Sequence, residues 1–330
     1  MDYIISITNK CNLHCRYCYE KKLNTELGNI DDETADRIIE FITGRNDANI
    51  VYFFGGEPLL YKDTIKKLAL AVKANQYVIT TNGMLIDEEF AKWCSEHGIV
   101  MNVSHDGADC SARGIKAEDL NEKIRILQKY QRDTMLQLVY TEETLPMLSE
   151  NLQYFRSLGI NKVSAVMDAG LVPKDIDRFG DVLRESWAKA AEVKGMHILE
   201  IDQKINKIRD RKKDKCEICK KKMYINWDGK IYPCMQFQNN AEFRCGDVFS
   251  GLDVSKTERD HPDYSILSER CADCEIAEYC NNSCACRKMS TSGTLRDISE
   301  AGCLEEQVLI LTALERINRI QTKEQGEKKK

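Results

Sequence analysis

The chain has 330 residues, 42% of them hydrophobic and 31% charged, with 48 basic side chains against 53 acidic ones for a net charge of −5. That length buries a full core as one large domain or two modest ones, and the acidic balance argues against a broad nucleic-acid-binding face. No apolar run approaches the roughly 18 residues of a membrane span, the first residues lack the basic start of a secretory signal, and 15 cysteines in a chain of this size favour metal or redox chemistry in a reducing cytoplasm over a secreted disulfide framework.

Ile4–Thr8 reads as a strand that runs directly into a cysteine loop. Asp31 or Asp32 can cap a helix through Arg37–Ile42, with Glu33 in its first turn. Ile50–Phe54 is a short apolar run of the kind a parallel sheet buries on both faces. A helix over Asp63–Lys73, a strand at Tyr77–Thr80 and a helix over Asp87–His97 follow. Strand Ile99–Ser104, helix Glu118–Gln131, strand Met135–Tyr140, helix Met147–Leu158, strand Lys162–Met167 and a helix over Asp175–Lys194 complete the series. Six strands alternating with helices predict an α/β fold with a parallel sheet, either an incomplete barrel or a doubly wound sheet, and the pattern alone does not order the strands. No solenoid repeat is present, and Lys323–Lys330 reads as a frayed, solvated end.

The cysteines are unevenly spread. Cys11, Cys15 and Cys18 form one CxxxCxxC loop, ten more lie from Cys216 to Cys303, and only Cys94 and Cys110 fall between. Three thiolates on one tight loop can ligate three corners of a cubane iron–sulfur cluster and leave the fourth iron open. A zinc site that borrows His14 or a distant fourth ligand satisfies the same spacing. The loop follows the first strand, on the sheet edge where βα-repeat folds place their active sites. Three further polar turns end strands on that edge: Gly55-Gly56-Glu57-Pro58, Thr80-Thr81-Asn82-Gly83 and Ser104-His105-Asp106-Gly107. Paired glycines let a backbone approach a ligand closely. Glu57 can bind an ammonium group, and Asn82, Ser104 and Asp106 can hydrogen-bond a ribose or an amino-acid head group. Each turn alone is ordinary βα-loop chemistry; together with the cysteine loop they mark a site.

On these residues the chain resembles the radical SAM superfamily over most of its length. Cys11, Cys15 and Cys18 match the cluster motif with Tyr17 at its aromatic position, Gly55–Pro58 matches the GGEP motif, and Asn82, Ser104 and Asp106 match polar positions near the S-adenosylmethionine (SAM) methionyl and ribose groups. The resemblance implies a partial (β/α)6 barrel and a 4Fe–4S cluster whose open iron chelates the amino and carboxylate groups of SAM. One electron from a reducing partner of the flavodoxin or ferredoxin type would cleave the sulfonium, and the resulting 5′-deoxyadenosyl radical would abstract a substrate hydrogen. Glu57 would hold the ammonium and Tyr17 would line the adenine side. His105 stands where many relatives have leucine and reads as a packing or supporting residue.

The later cysteines follow an ordered pattern. The pairs Cys216/Cys219 and Cys271/Cys274 alone would favour zinc knuckles. The full string of Cys219, Cys234, Cys271, Cys274, Cys280, Cys284 and Cys303 resembles the SPASM extension of radical SAM enzymes, which implies two auxiliary 4Fe–4S clusters and three clusters in all. By that resemblance Cys219, Cys234 and Cys284 serve the first auxiliary cluster, and Cys271, Cys274, Cys280 and Cys303 serve the second. Cys216 leads Cys245 and Cys286 as the fourth ligand of the first, which otherwise keeps an open iron. The expected division is a barrel over residues 1–205 and an auxiliary-cluster domain over 206–330. Asp228-Gly229 reads as the turn of a hairpin that brings Cys219 and Cys234 together at its open end, and Leu304–Ile320 as an amphipathic packing helix. Cys94, beside Trp93 in a helix, reads as a small buried hydrophobe, whereas Cys110 falls near the active edge. Asp202–Lys222 carries ten Lys/Arg against four Asp/Glu, a local net charge of +6 that reads as a solvated helix and linker or as a docking strip for an acidic peptide.

Enzymes with this extension commonly modify peptides by thioether formation, carbon–carbon crosslinking, epimerisation or oxidation. In the sulfatase-maturing branch an aspartate follows the cysteine that matches Cys234; here that residue is Met235, which disfavours formylglycine formation. Strand one begins within the first few residues, so no leader-binding domain is expected before the barrel, and a precursor peptide or protein would be presented by a separate leader-binding protein, by the barrel or by the basic strip. The leading expectation is a radical SAM oxidoreductase acting as a peptide maturase. A small-molecule dehydrogenase is the second reading, and a non-catalytic iron–sulfur or zinc protein the third. No catalytic acid or base is assigned.

Overall fold

A computed structural model describes residues 1–23, 26–210, 221–253, 269–280 and 284–327, with side chains described except at residue 22 and from residue 320 onward. In chain order the described strands are β1 (Asp2–Thr8), β2 (Ile50–Gly55), β3 (Gln76–Thr81), β4 (Ile99–Ser104), β5 (Met135–Tyr140), β6 (Lys162–Met167), β7 (His197–Ile198), β8 (Lys222–Ile225), β9 (Lys230–Tyr232), β10 (Gly246–Asp247) and β11 (Gly251–Leu252). The helices are α1 (Glu20–Leu23), α2 (Asp32–Arg45), α3 (Lys62–Ala71), α4 (Glu88–Glu96), α5 (Ala117–Gln128), α6 (Leu148–Ser157), α7 (Ile176–Ala191), α8 (Leu199–Asp210), α9 (Ala285–Ser292) and α10 (Glu300–Glu327). Contacts divide the chain into two units. The first holds Met1–His105, Asp109–Leu136 and Glu217–Asp263; the second holds Asp106–Ala108, Gln137–Cys216 and Tyr264–Lys330.

In the first unit β1, β2, β3 and β4 lie side by side in chain order, every pair parallel. Strands that neighbour in chain order, with every crossover of the same hand, wind as a barrel. A doubly wound sheet instead reverses its order at a switch point. Aspartates cap two helix starts: Asp31, one of the two that the sequence offers, accepts from the Thr34 amide at 2.8 Å, and Asp87, expected as the first helical residue, accepts from the Phe90 amide at 2.8 Å, each such cap contributing about 1 kcal/mol. Burial on both faces is realised in β1, where Ile5, Ser6, Ile7 and Thr8 are buried in succession. It is not realised in β2, whose residues alternate between buried (Val51, Phe53) and half-buried (Tyr52, Phe54), so its second face is only partly covered. The free edge of β1 is taken by β8, parallel, from Asp2↔Lys222 to Ile5↔Ile225. β9 then returns antiparallel as the expected hairpin, with Gly229 at φ +80° in its turn. Cys216 and Cys219 lie outside the described residues.

In the second unit β6 pairs parallel with the two-residue β7, and α10 packs on α7 and α8 through Val308, Leu309, Ile310, Ala313 and Ile317. The closing helix runs from Glu300 to Glu327, past the Leu304–Ile320 span that the apolar pattern marks. In the described part of the basic strip Arg209, Lys221 and Lys222 are exposed and Lys207 is half-buried, as a solvated face would have them, and Lys204 is the exception. Helix α8 buries Ile201, Lys204 and Ile205, and Lys204 is only 1% exposed because its ammonium meets Glu306 and the Tyr279 carbonyl, the latter at 2.8 Å. Beside it Glu305 accepts from Tyr140 and from Arg287, the latter at 2.6 Å. Glu200 continues the sheet where β7 stops, accepting from the Ser164 hydroxyl at 2.7 Å and from the Ala165 amide at 2.9 Å.

Burial pushes the Glu200 carboxyl up to about 7, against its two hydrogen bonds and with the charge of Glu305 adding to the rise. The folded protein therefore binds this proton more tightly than the unfolded chain. The associated stability is complete below the ordinary carboxylate range and is lost as pH rises through about 7. Glu200→Gln keeps both hydrogen bonds after a flip of its amide and carries no charge. Urea midpoints should show the variant gaining on the parent between pH 5 and pH 8, by at most about 3 kcal/mol; a gap constant with pH contradicts this. Lys204→Met should cost about 3–5 kcal/mol by stranding the Glu306 charge, while Lys204→Met with Glu306→Leu should recover most of that loss. Thermal unfolding of the three proteins checks it.

Candidate functional site

The cysteine loop is held at its base by side chains of β1 and the residues after it. Thr8 donates to the Gly28 carbonyl at 2.6 Å, and Asn9 accepts from the Gly28 amide at 2.7 Å. The Gly-Gly-Glu turn then zips onto the same segment: the Gly56 amide donates to the Thr8 carbonyl at 2.7 Å and the Glu57 amide to the Lys10 carbonyl at 2.8 Å. This approach explains both glycines. A Cβ on Gly55, which sits at φ +136°, would lie 2.1 Å from the Thr8 carbonyl oxygen, and one on Gly56 would lie 2.3 Å from that of Lys10. Pro58 opens the 3-10 turn Pro58–Tyr61 that follows, in which Pro58 and Leu59 are buried.

Glu57 is fully buried. One of its oxygens accepts from the Leu59 amide at 3.0 Å and the Thr81 hydroxyl at 2.6 Å, and the other accepts from the Asn82 amide at 2.7 Å. Burial pushes this carboxyl up while the three donors pull it back. The Asn82 side-chain amide in turn reaches the Cys11 thiol at 3.7 Å and the Asn12 side chain at 2.8 Å. A second donor to Cys11 is the Leu13 amide at 3.4 Å. Burial raises the Cys11 thiol, the Leu13 and Asn82 donors oppose the rise, and the nearby Glu57 and Cys15 add to it. Cys15 and Cys18 are half-buried on one turn, the Cys18 amide donating to the Cys15 carbonyl at 3.3 Å. Tyr17 is half-buried, with the Arg113 guanidinium 5.6 Å from its ring centre, and the Arg16 amide donates to the Ala112 carbonyl at 2.8 Å.

Ser104 is half-buried at the end of β4. His105 beside it is fully buried with its ring between Asn121, at 3.2 Å, and the Cys110 thiol, at 3.7 Å, which agrees with a packing or supporting role. Asp106, half-buried, begins the short Asp106–Ala108 segment of the second unit, where Gly107 at φ +104° leaves room for Asn151. Cys94 is buried in α4 and its thiol is pushed up to about 12 by burial, as a small hydrophobe's would be. Sequence reasoning missed Thr8, Asn9, Arg113 and, directly after the cysteine motif, Tyr19 and Glu20. Burial, with Glu20, Tyr224, Cys234 and Cys18 close by, lifts the Tyr19 phenol well above its ordinary range.

Of the later cysteines, Cys234 is half-buried just beyond β9, and Cys245 is buried in the same unit. In the second unit Cys271 and Cys274 share a turn, the Cys274 amide donating to the Cys271 carbonyl at 3.3 Å. Burial raises the Cys303 thiol on α10, with Cys274 and Cys271 adding to the rise, so these three thiols lie within electrostatic reach of one another. Cys280 follows the Tyr279 carbonyl that Lys204 holds, Cys284 occupies the cap position of α9, and Cys286 is buried within that helix. Among the described residues no three His, Cys, Asp or Glu side chains close into the compact cage that a single metal ion needs. An all-thiol loop whose first sulfur receives two N–H donors fits an iron–sulfur cluster, whose sulfurs are tuned by such bonds.

Residues 5–179 match the Radical SAM superfamily. The chain belongs to that superfamily. An uncharacterised protein of Methanocaldococcus jannaschii is 31% identical over 174 residues, which make up 49% of this chain and 60% of that protein. The cysteine-type anaerobic sulfatase-maturating enzyme of Clostridium perfringens is 23% identical over 330 residues, covering 86% of this chain and 89% of its own. Among solved structures, native anSMEcpe with bound AdoMet and the Cp18Cys peptide superposes with a TM-score of 0.78 over 98% of this chain and 99% of its own, at 19% identity. Streptococcus suis SuiB bound to the precursor peptide SuiA superposes with a TM-score of 0.63 over 90% of this chain and 74% of its own, at 18% identity. The likeness of the α/β fold to the first of these structures thus covers 98% of the chain and reaches beyond residues 5–179 into the cysteine-rich C-terminal region. Among the described residues no helix is long and apolar enough to cross a membrane.

Gly56→Ala should drive its Cβ into the Lys10 carbonyl and cost about 1–3 kcal/mol. Gly44→Ala, in α2 with open space around it, should be neutral or stabilising by about 0.5–1 kcal/mol. Urea unfolding of the two variants beside the parent checks the contrast.

Proposed function

We propose that the protein is a radical SAM oxidoreductase that modifies a ribosomally made peptide or protein. The observation that carries this reading is the Glu57–Asn82–Cys11 chain, which ties the Gly-Gly-Glu turn to the first thiol of the loop. Cys11, Cys15 and Cys18 would hold the 4Fe–4S cluster, which together with SAM supplies one-electron cleavage of the sulfonium and hydrogen abstraction. Glu57 orients an ammonium group: its three donors leave an acceptor position on the oxygen that faces Asn82. Asn82, Ser104 and Asp106 would bind the methionyl and ribose groups, and the glycine turn with Pro58 shapes the backbone beneath them. Tyr17, with Arg113 over its ring, would present its other side to the adenine.

The peptide substrate is supported by fold likeness to anSMEcpe and SuiB, each seen with a peptide. Met235 in place of the sulfatase-maturing aspartate turns the reading toward crosslinking, epimerisation or another oxidation rather than formylglycine formation. We assign residues 1–205 to the barrel and 206–330 to a domain with two auxiliary clusters, one on Cys216, Cys219, Cys234 and Cys284 and one on Cys271, Cys274, Cys280 and Cys303. A flavodoxin- or ferredoxin-type carrier would supply electrons, in the cytoplasm.

Anaerobically purified protein should convert SAM to 5′-deoxyadenosine under reduction, and Cys15→Ala should lower that yield to background. Co-expression with a precursor peptide encoded beside the gene should give a product lighter by two hydrogens, or one that takes up solvent deuterium without other change. Bound zinc without a visible iron–sulfur absorption would overturn the reading.

A further inference from the structure

A buried imidazole joins α5 to a turn that lies against the cysteine loop. The His105 ring is fully buried between Asn121, whose side-chain oxygen stands 3.2 Å from Nε2, and Cys110, whose thiol stands 3.7 Å from Nδ1. With an oxygen at Nε2, the neutral ring carries its hydrogen there and offers Nδ1 as the acceptor for the thiol. Asn121 is buried on α5 beside Leu120 and Ile124, so its end of the bridge is anchored in the core. The other end opens the 3-10 turn Ser111–Arg113: the Arg113 amide donates to the Cys110 carbonyl at 2.9 Å and the Gly114 amide to the Ser111 carbonyl at 3.0 Å. That turn reaches the cysteine loop at two points. The Ala112 carbonyl accepts from the Arg16 amide at 2.8 Å, and the Arg113 guanidinium lies over the Tyr17 ring. All of these residues belong to the first unit.

We propose that His105 is a positioning residue for SAM, acting through the Cys110–Gly114 turn on Arg16 and Tyr17 of the cysteine loop. The proposal rests on the reading of Tyr17 as the adenine-side residue. A three-residue 3-10 turn holds its own shape poorly, and Ser111 and Gly114 are exposed. Its seat on the cysteine loop is therefore set by the side chains that it buries, Cys110 and Arg113, which are 2% and 4% exposed. Arg113 meets Tyr17 directly, and Cys110 is tied to α5 through the imidazole. Histidine suits this bridge because its rigid ring presents one donor and one acceptor on separate nitrogens, which holds α5 and the turn at a fixed separation. An apolar side chain of similar size fills the space but supplies neither group. The turn then shifts on the cysteine loop and carries Tyr17 with it, which loosens the surface offered to the adenine.

The test pairs amide hydrogen exchange with SAM binding by equilibrium dialysis, both on the anaerobically reconstituted full-length protein. His105→Leu should speed exchange of the Arg16 amide before SAM is added, read by fragmentation mass spectrometry. It should also raise the SAM dissociation constant about tenfold, the effect of one hydrogen bond. Cys110→Ala should follow it in both readouts, whereas Cys110→Ser, which keeps a donor for Nδ1, should stay with the parent; this pair carries the test if His105→Leu does not fold. Ile124→Val, a loss of packing on the same helix, should lower the melting temperature and move neither readout. A His105→Leu protein that is less stable but matches the parent in Arg16 exchange and SAM affinity overturns the proposal and leaves the SAM reading intact. So does a Cys110→Ala protein indistinguishable from Cys110→Ser, or an Ile124→Val protein that moves both readouts. A parent that binds no SAM overturns the reading of the site and the proposal with it.

Discussion

Two backbone hydrogen bonds, from Gly56 and Glu57 to the carbonyls of Thr8 and Lys10, tie the Gly-Gly-Glu turn to the segment that leads into the cysteine loop. They require a separation that no side chain at 55 or 56 tolerates, so the glycines are dictated by chain meeting chain. Once the turn is zipped down, the Glu57 carboxylate has nowhere to go but inward, and its burial is tolerable because three donors converge on it. One of those donors, the Asn82 amide, belongs to the residue whose side chain reaches Cys11. The placement of the cysteine loop is therefore a consequence of satisfying a buried carboxylate.

The same physics organises the second unit with different groups. Buried Lys204 pairs with buried Glu306, and half-buried Arg287 pairs with buried Glu305. Such pairs contribute little net stability over apolar replacements, but they are costly to break one member at a time. They lie where the chain carries Cys280, Cys284 and Cys303, and the Lys204 bond to the Tyr279 carbonyl fixes the residue before Cys280 directly.

Much of this was legible in the sequence. The strands at Ile99–Ser104, Met135–Tyr140 and Lys162–Met167 have the bounds that their apolar runs and flanking turns mark, and Asp31 and Asp87 cap the helices they precede. The two segments that meet at the end of β1 were legible because CxxxCxxC and the Gly-Gly-Glu-Pro turn are local patterns. The parallel pairing of β8 with β1 was not, since it joins residues more than two hundred positions apart. Two residues of β7 carry no periodicity to read. Lys204 was misleading for a physical reason: a lysine reads as solvated until a carboxylate and a carbonyl are placed against it. The contacts of Tyr19 with Met235 and of Glu20 with Gln238 likewise depend on a partner turn that only the fold supplies.

The most direct measurement is electron–nuclear double resonance on the reduced protein with SAM labelled by 15N at its amino group and 17O at its carboxylate. If the Cys11, Cys15 and Cys18 loop holds a cluster with an open iron beside Glu57, both labels should couple to that cluster, and the coupling should vanish in Cys15→Ala. Tight SAM binding without coupling to either label would contradict it.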